Sequence, residues 1–174
     1  DVYKRQVLGR DFKTFPGGKG ANQAVASARA GAAPTHMLVG LGQDAFAAPL
    51  EESLQGASVQ LHTVRTPDHP TGTAFICVSD DAENAITVAP GANAQLRPEH
   101  LPSLSGFTHL LLQLETPMET VTAYAKAARA QGVSVVLNAA PAQNLPPELL
   151  AHTDVLVVNE GCLLYTSDAA DERS

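Results

Sequence analysis

The chain has 174 residues, 44% hydrophobic and 17% charged, which suits one compact domain and is too apolar for a disordered tail. Its longest apolar runs, around His109–Leu114 and Val133–Leu137, fall well short of the ~18 residues that a membrane-spanning helix needs, so no membrane partner is expected. A net charge of −7 argues against a surface built to grip nucleic-acid phosphates, and two cysteines cannot form a disulfide framework.

The first six residues, Asp1 to Gln6, can be coded by GAT-GTG-TAT-AAG-AGA-CAG. The reverse complement of that string, read one base later, encodes Cys162 to Ser167. An inverted DNA adapter has this property by construction, whereas no protein architecture requires it. Residues 1–6 and 162–174 are therefore expected to be translated adapter, leaving residues 7–161 as the segment that folds. The charge balance stays acidic without the ends. Cys77 is then the only cysteine of that segment, mid-strand among apolar neighbours, and is expected as a small buried hydrophobe.

Along the chain, Ala21, Ala24, Val25 and Ala28 recur at helical spacing between Lys19 and Ala30, and Gly31 gives a stop. A buried strand is predicted over His36–Leu41 and a second helix over Asp44–Gln55, closed by Gly56. Val59–Val64, Thr73–Val78 and Ala85–Val88 read as short strands of a small β insertion, the last two joined by the polar turn at 79–84. The two apolar faces of Thr73–Val78 suggest a sheet covered on both sides. Alternation then resumes, with strand His109–Leu114, helix Pro117–Gln131, strand Val133–Leu137, helix Pro147–Ala151 and strand Val155–Val158. At the first of these helices Thr116 is placed to cap, Pro117 to take the first position and Glu119 to reach back. Strands alternating with helices predict a mostly parallel sheet covered on both faces.

Ligands of open α/β sheets gather beyond the carboxyl ends of the strands. Three successive strands deliver polar groups there: Glu115, Asn138 and Asn159-Glu160. The second feature is Pro16-Gly17-Gly18-Lys19-Gly20-Ala21-Asn22, where paired glycines allow close backbone approach and the helix start offers N–H groups to a ligand. It satisfies neither the GxxxxGK[ST] nor the GxGxxG pattern, so a small polyol gripped by backbone, Lys19 and Asn22 stands beside the reading of a plain turn. The six histidines show no close sequence pairing, and no metal ligand is assigned.

These segments, in this order, resemble ribokinase and the PfkB-type carbohydrate kinases. Pro16 to Ala26 is similar to the family's first signature, Gly40 to Phe46 to its G-x-D-x-F segment, Thr71-Gly72-Thr73-Ala74 to the opening of its lid, and Leu112 to Pro117 to its glutamate-bearing strand. Asn138 to Ala142 resembles an N-P-A-P-A segment in which Ala139 replaces a proline, a change expected to affect loop stiffness. The resemblance implies a Rossmann-like three-layer α/β sandwich, incomplete here, with a β-sheet lid at about 59–90. It implies that Gly18, Lys19, Gly20, Ala21 and Asn22 hold sugar hydroxyls, that Glu115 holds the sugar from the opposite side, and that Asn159 approaches the nucleotide phosphates. Asn159-Glu160 looks like the start of an N-x-x-E motif whose last position is taken by Cys162.

The implied reaction is phosphoryl transfer from ATP, with Mg2+, to the 5-hydroxyl of ribose, in the cytoplasm, in a homodimer clasped through the lid; any monovalent-cation dependence stays open. A lid that closes excludes water. The family's catalytic aspartate, in a G-A-G-D segment, would lie beyond residue 161, and a sugar-contacting N-x-D strand before Val7. No catalytic residue is therefore assigned, and this chain is expected to be inactive by itself. The alternatives are another PfkB-type sugar or nucleoside kinase, a non-catalytic sugar-binding remnant, and an unrelated α/β domain.

Overall fold

The computed structural model describes residues 11–31, 33–78 and 84–159; the expected adapter-derived ends, residues 79–83 of the predicted turn and Glu160 lie outside the described residues. Helix α1 (Lys19–Gly31) buries Ala21 and Ala24, small enough to bring its backbone close to the strands beneath, and carries Arg29 in its last turn, where a cation suits the helix dipole. Strand β1 (Thr35–Leu41) follows, then α2 (Ala47–Gly56) and β2 (Val59–Arg65). The predicted start of α2 at Asp44 is three residues early. The Asp44 carboxylate instead accepts the Phe46 N–H at 3.0 Å and the Thr71 N–H at 2.6 Å, which holds residues 43–46 in a turn.

Strand β2 runs parallel to β1 in the register Thr35↔Val59 to Leu41↔Arg65. This corrects the expected extent of the insertion, because Val59–Val64 belongs beside β1. The antiparallel unit is the hairpin of β3 (Thr73–Val78) and β4 (Asn84–Ala89), paired from Thr73↔Ala89 to Val78↔Asn84. Phe75, Ile76, Val78, Ile86 and Val88 are exposed on it, and so is Cys77. The expectation of a buried Cys77 and a covered sheet fails because no described element packs as a layer on either face of the hairpin.

A second parallel sheet has the order β5-β6-β7, formed by β5 (His109–Leu112), β6 (Ser134–Asn138) and β7 (Val155–Val157). Between them lie α3 (Met118–Ala130) and α4 (Pro147–Ala151). The capping arrangement predicted at Thr116 does not form. Pro117 stands at the N-cap without a side-chain bond, its carbonyl accepting the Val121 N–H at 3.0 Å. Val121, Val135, Leu137 and Leu149 are buried to within 1% of zero exposure in the core beneath α3 and α4, each worth about 1.5–3 kcal/mol of apolar burial.

Alternation along β1 produces the layering. Met37 packs on the cluster of Ala21, Ala24, Leu54 and Val59 under α1 and α2, whereas its neighbour Leu38 packs on the core under α3. Helices therefore cover both faces, as expected for a three-layer α/β sandwich. His36, two residues before Leu38, has Nδ1 at 3.0 Å from Nε2 of His62 on β2, and its ring meets the edge of Phe107 just ahead of β5. Sequence spacing alone does not reveal that histidine pair.

Candidate functional site

The start of α1 meets the end of β5 through one carboxylate. Glu115 Oε2 accepts the backbone N–H of Lys19 at 2.9 Å, and Oε1 accepts from Lys19 Nζ at 2.9 Å. The first N–H groups of a helix have no partner within the helix and carry partial positive charge, so an anion is favoured there. Glu115 thus acts as a long-range cap, and the expectation of an open N–H at Lys19 is corrected. Gly18, at φ +99°, turns the chain into the helix, and a Cβ placed on it would lie 3.9 Å from Glu115 Oε2. Its carbonyl accepts the Asn22 N–H at 2.9 Å.

One turn further along, Gln113 Nε2 donates to Gln23 Oε1. A Cβ on Gly20 would stand 3.1 Å from Gln113 Oε1 and 3.3 Å from Met37 Cε, so the absence of a side chain there lets the helix settle on β1 and on the residue that follows β5. Beside this junction opens a cavity of about 430 Å³ lined by Lys19, Asn22, Gln23, Asn138, Ala140, Val157, Val158 and Asn159. It lies at the carboxyl ends of β6 and β7, where Asn138 pairs with Val157 and the Ala139 N–H reaches the Val157 carbonyl at 2.9 Å. Four carboxamides and one ammonium line it, a set that offers both donors and acceptors to a polyhydroxylated or phosphorylated ligand. Among the described residues its lining holds no Asp, Glu or His, and no group of three metal-ligating side chains occurs elsewhere.

Of the predicted site residues, Lys19, Asn22 and Asn159 meet at this cavity. Glu115 lies beside it, joined through Lys19, and Gly18, Gly20 and Ala21 shape the helix start without lining it. Gln23 and Gln113 are absent from the predicted set; each lies within a motif quoted above, but only their contact, across ninety positions, marks them as a pair.

A second cluster anchors the roots of the hairpin. Besides the Asp44 bond to Thr71, the buried Thr71 Oγ1 accepts the Gly42 N–H at 3.1 Å, and the Ala92 N–H reaches the Pro70 carbonyl at 2.7 Å. A Cβ on Gly42 would stand 2.5 Å from the His69 carbonyl oxygen, and one on Gly72 2.7 Å from that of Pro90. Burial pushes the Asp44 carboxyl upward, but hydrogen bonds from Thr71, Phe46 and Ala47 outweigh it and hold the group below its ordinary 3.8.

The profile of the pfkB family carbohydrate kinases matches residues 1–163. Ribokinase of Haemophilus influenzae is 37% identical over 175 residues, covering 97% of this chain and 57% of that protein. Among solved structures, ribokinase of Thermotoga maritima superposes with a TM-score of 0.82 at 33% identity, over 95% of this chain and 55% of that one. Ribokinase of Arabidopsis thaliana complexed with ribose and ATP gives a TM-score of 0.77 at 30% identity, over 91% of this chain and 56% of that one. The chain spans about half the length of the curated relatives it matches.

Proposed function

The chain belongs to the pfkB family of carbohydrate kinases, and on that premise we propose that it is part of a ribokinase that transfers a phosphoryl group from ATP to the 5-hydroxyl of D-ribose. The observation that carries the reading is the clamp of Glu115 on Lys19 at the glycine-bounded start of α1, beside the amide-lined cavity. Ribose hydroxyls would donate to the Glu115 carboxylate and exchange hydrogen bonds with Asn22 and the backbone from Gly18 to Ala21. Asn159, which also lines the cavity, would meet the phosphates of ATP, and the Lys19 ammonium would serve either ligand. Mg2+ bound with ATP would supply charge neutralisation to the phosphates; among the described residues no carboxylate lines the cavity, and no residue of this chain is assigned to hold the ion.

The exposed apolar hairpin supports a homodimer formed through it, and its roots support a lid that closes over the sugar. Among the described residues no carboxylate or histidine lines the cavity, and an inactive chain remains part of this proposal. We read the ends at 1–6 and 162–174 as adapter sequence, on the inverted-repeat codons, and the parent protein as cytoplasmic. The test is isothermal calorimetry of the chain with D-ribose, alongside an ADP-release assay with MgATP. Ribose binding that outcompetes fructose and adenosine, without ADP formation above a blank, is the expected result. Preferential binding of another sugar would overturn the ribose assignment, and ribose-dependent ADP formation would overturn the inactivity.

A further inference from the structure

We infer that the Gln23–Gln113 pair is a positioning element that fixes where Lys19 and Glu115 meet. Its structural half stands alone, and its consequence for sugar binding rests on the function proposed above. Gln113 lies two residues before Glu115 at the end of β5, and Gln23 lies four residues after Lys19, one turn along the same face of α1. The Lys19–Glu115 and Gln23–Gln113 contacts therefore cross one junction at two points a helical turn apart. Ala21 and Ala24 seat the body of α1 on its apolar side, and the two polar attachments, a turn apart, fix where its first turns lie against the residues that follow β5.

Gly20 lies between the two, and the 3.1 Å approach that its Cβ would make to Gln113 Oε1 shows how closely the helix rests on this side chain. Both glutamines are half-buried, so water competes only partly for their amide groups. Gln23 also lines the cavity with Lys19 and Asn22. A shift of the first turns of α1 would move all three at once. The glutamines touch no reacting group in this account; they act through Lys19 and Glu115.

The test uses the 174-residue chain with Gln113→Leu, Gln23→Leu, the double substitution and Gln113→Glu. Two quantities are read: hydrogen exchange of the Lys19 amide by NMR, and the D-ribose dissociation constant by calorimetry. Each leucine variant is expected to speed Lys19 exchange about tenfold and to weaken ribose binding about five- to tenfold, with the thermal midpoint little changed. The double variant is expected to be no worse than either single one, because both remove the same contact. Gln113→Glu is expected to restore both readouts, since its carboxylate can accept from the turned-over Gln23 amide. Should Gln113→Leu fail to fold, Gln23→Leu carries the comparison.

Lys19 exchange at the wild-type rate in a folded leucine variant overturns the inference, whatever happens to ribose. Faster Lys19 exchange in a chain that binds no ribose sustains the positioning role and overturns the sugar reading instead.

Discussion

Glu115 serves two partners with one carboxylate, and the two can be separated by removing its charge while keeping its shape. In Glu115→Gln the amide oxygen can still accept the Lys19 N–H, but the ion pair to Nζ is gone, as is the negative acceptor proposed above for a sugar hydroxyl. A hydrogen bond to a charged group is worth about 1.5–3 kcal/mol, so ribose affinity should fall by roughly tenfold to a hundredfold. Calorimetry on a variant with an unchanged thermal midpoint checks this. Asp44 offers a second residue-level prediction. Its carboxyl is held below 3.8 in the fold, so the stability it contributes is complete above that pH and is lost as acidification passes through the lower folded value. Asp44→Asn should therefore unfold more readily near neutral pH, with a flatter acid limb in a denaturant series run from pH 5 to pH 2. At this scale the sequence reveals what is local. The turn-forming glycines and Lys19 sit in one short motif, and Glu115 ends an apolar run, so both are readable. The bonds from Asp44 to Thr71 and from Gln23 to Gln113 join segments far apart in the chain, and no periodicity encodes them.

Among the elements, α3 shows how a helix is tied to a segment that has little regular structure of its own. Thr120 Oγ1 donates to the Leu96 carbonyl at 2.9 Å and Tyr124 Oη to the Arg97 carbonyl at 2.7 Å, one turn apart, stitching residues 96–97 to the helix. Burial, with a contribution from the Glu99 charge, pushes the Tyr124 hydroxyl up to about 12. The fold therefore keeps Tyr124 protonated where the unfolded chain releases its proton, and the associated stability is present below pH 10 and lost as pH rises toward 12. Tyr124→Phe should cost about 0.5–1.5 kcal/mol at neutral pH and lose less between pH 10 and 12, as read by urea titration. An equally steep alkaline decline in the variant would sink this assignment. Apolar periodicity locates α1 and α3 well because each buries a regular stripe, whereas the five-residue α4 buries Leu149 alone. The α2 start and the Thr116 cap escape sequence reading because the side-chain oxygens that decide a helix end answer to whatever backbone lies nearby. Strand β2 reads as part of the hairpin unit in the sequence since a short apolar run does not state its partner; the parallel pairing with β1 comes from the crossover through α2.

For the molecule as a whole, the least settled surface is the hairpin, where Phe75, Ile76, Ile86 and Val88 are each more than half exposed. An apolar sheet of this kind favours association, and the proposed dimer would cover it. Ile76→Lys should shift the chain toward monomer in sedimentation velocity across a concentration series while leaving its thermal midpoint in place; identical sedimentation would argue against the hairpin as the interface. The stems of that hairpin meet again at Gly72 and Pro90, held by Gly42, Asp44, Thr71 and Ala92. The chain thus departs from the layered body and re-enters it at a single doorway. Closure cost changes only slowly with loop length, so residues 73–89 behave as an exchangeable module: they can lengthen, shorten or be replaced without moving the strands that carry the site. On the lid and dimer proposed above, variation within such a module would alter what the protein closes over and whom it pairs with, while the groups around Lys19 and Glu115 keep their geometry.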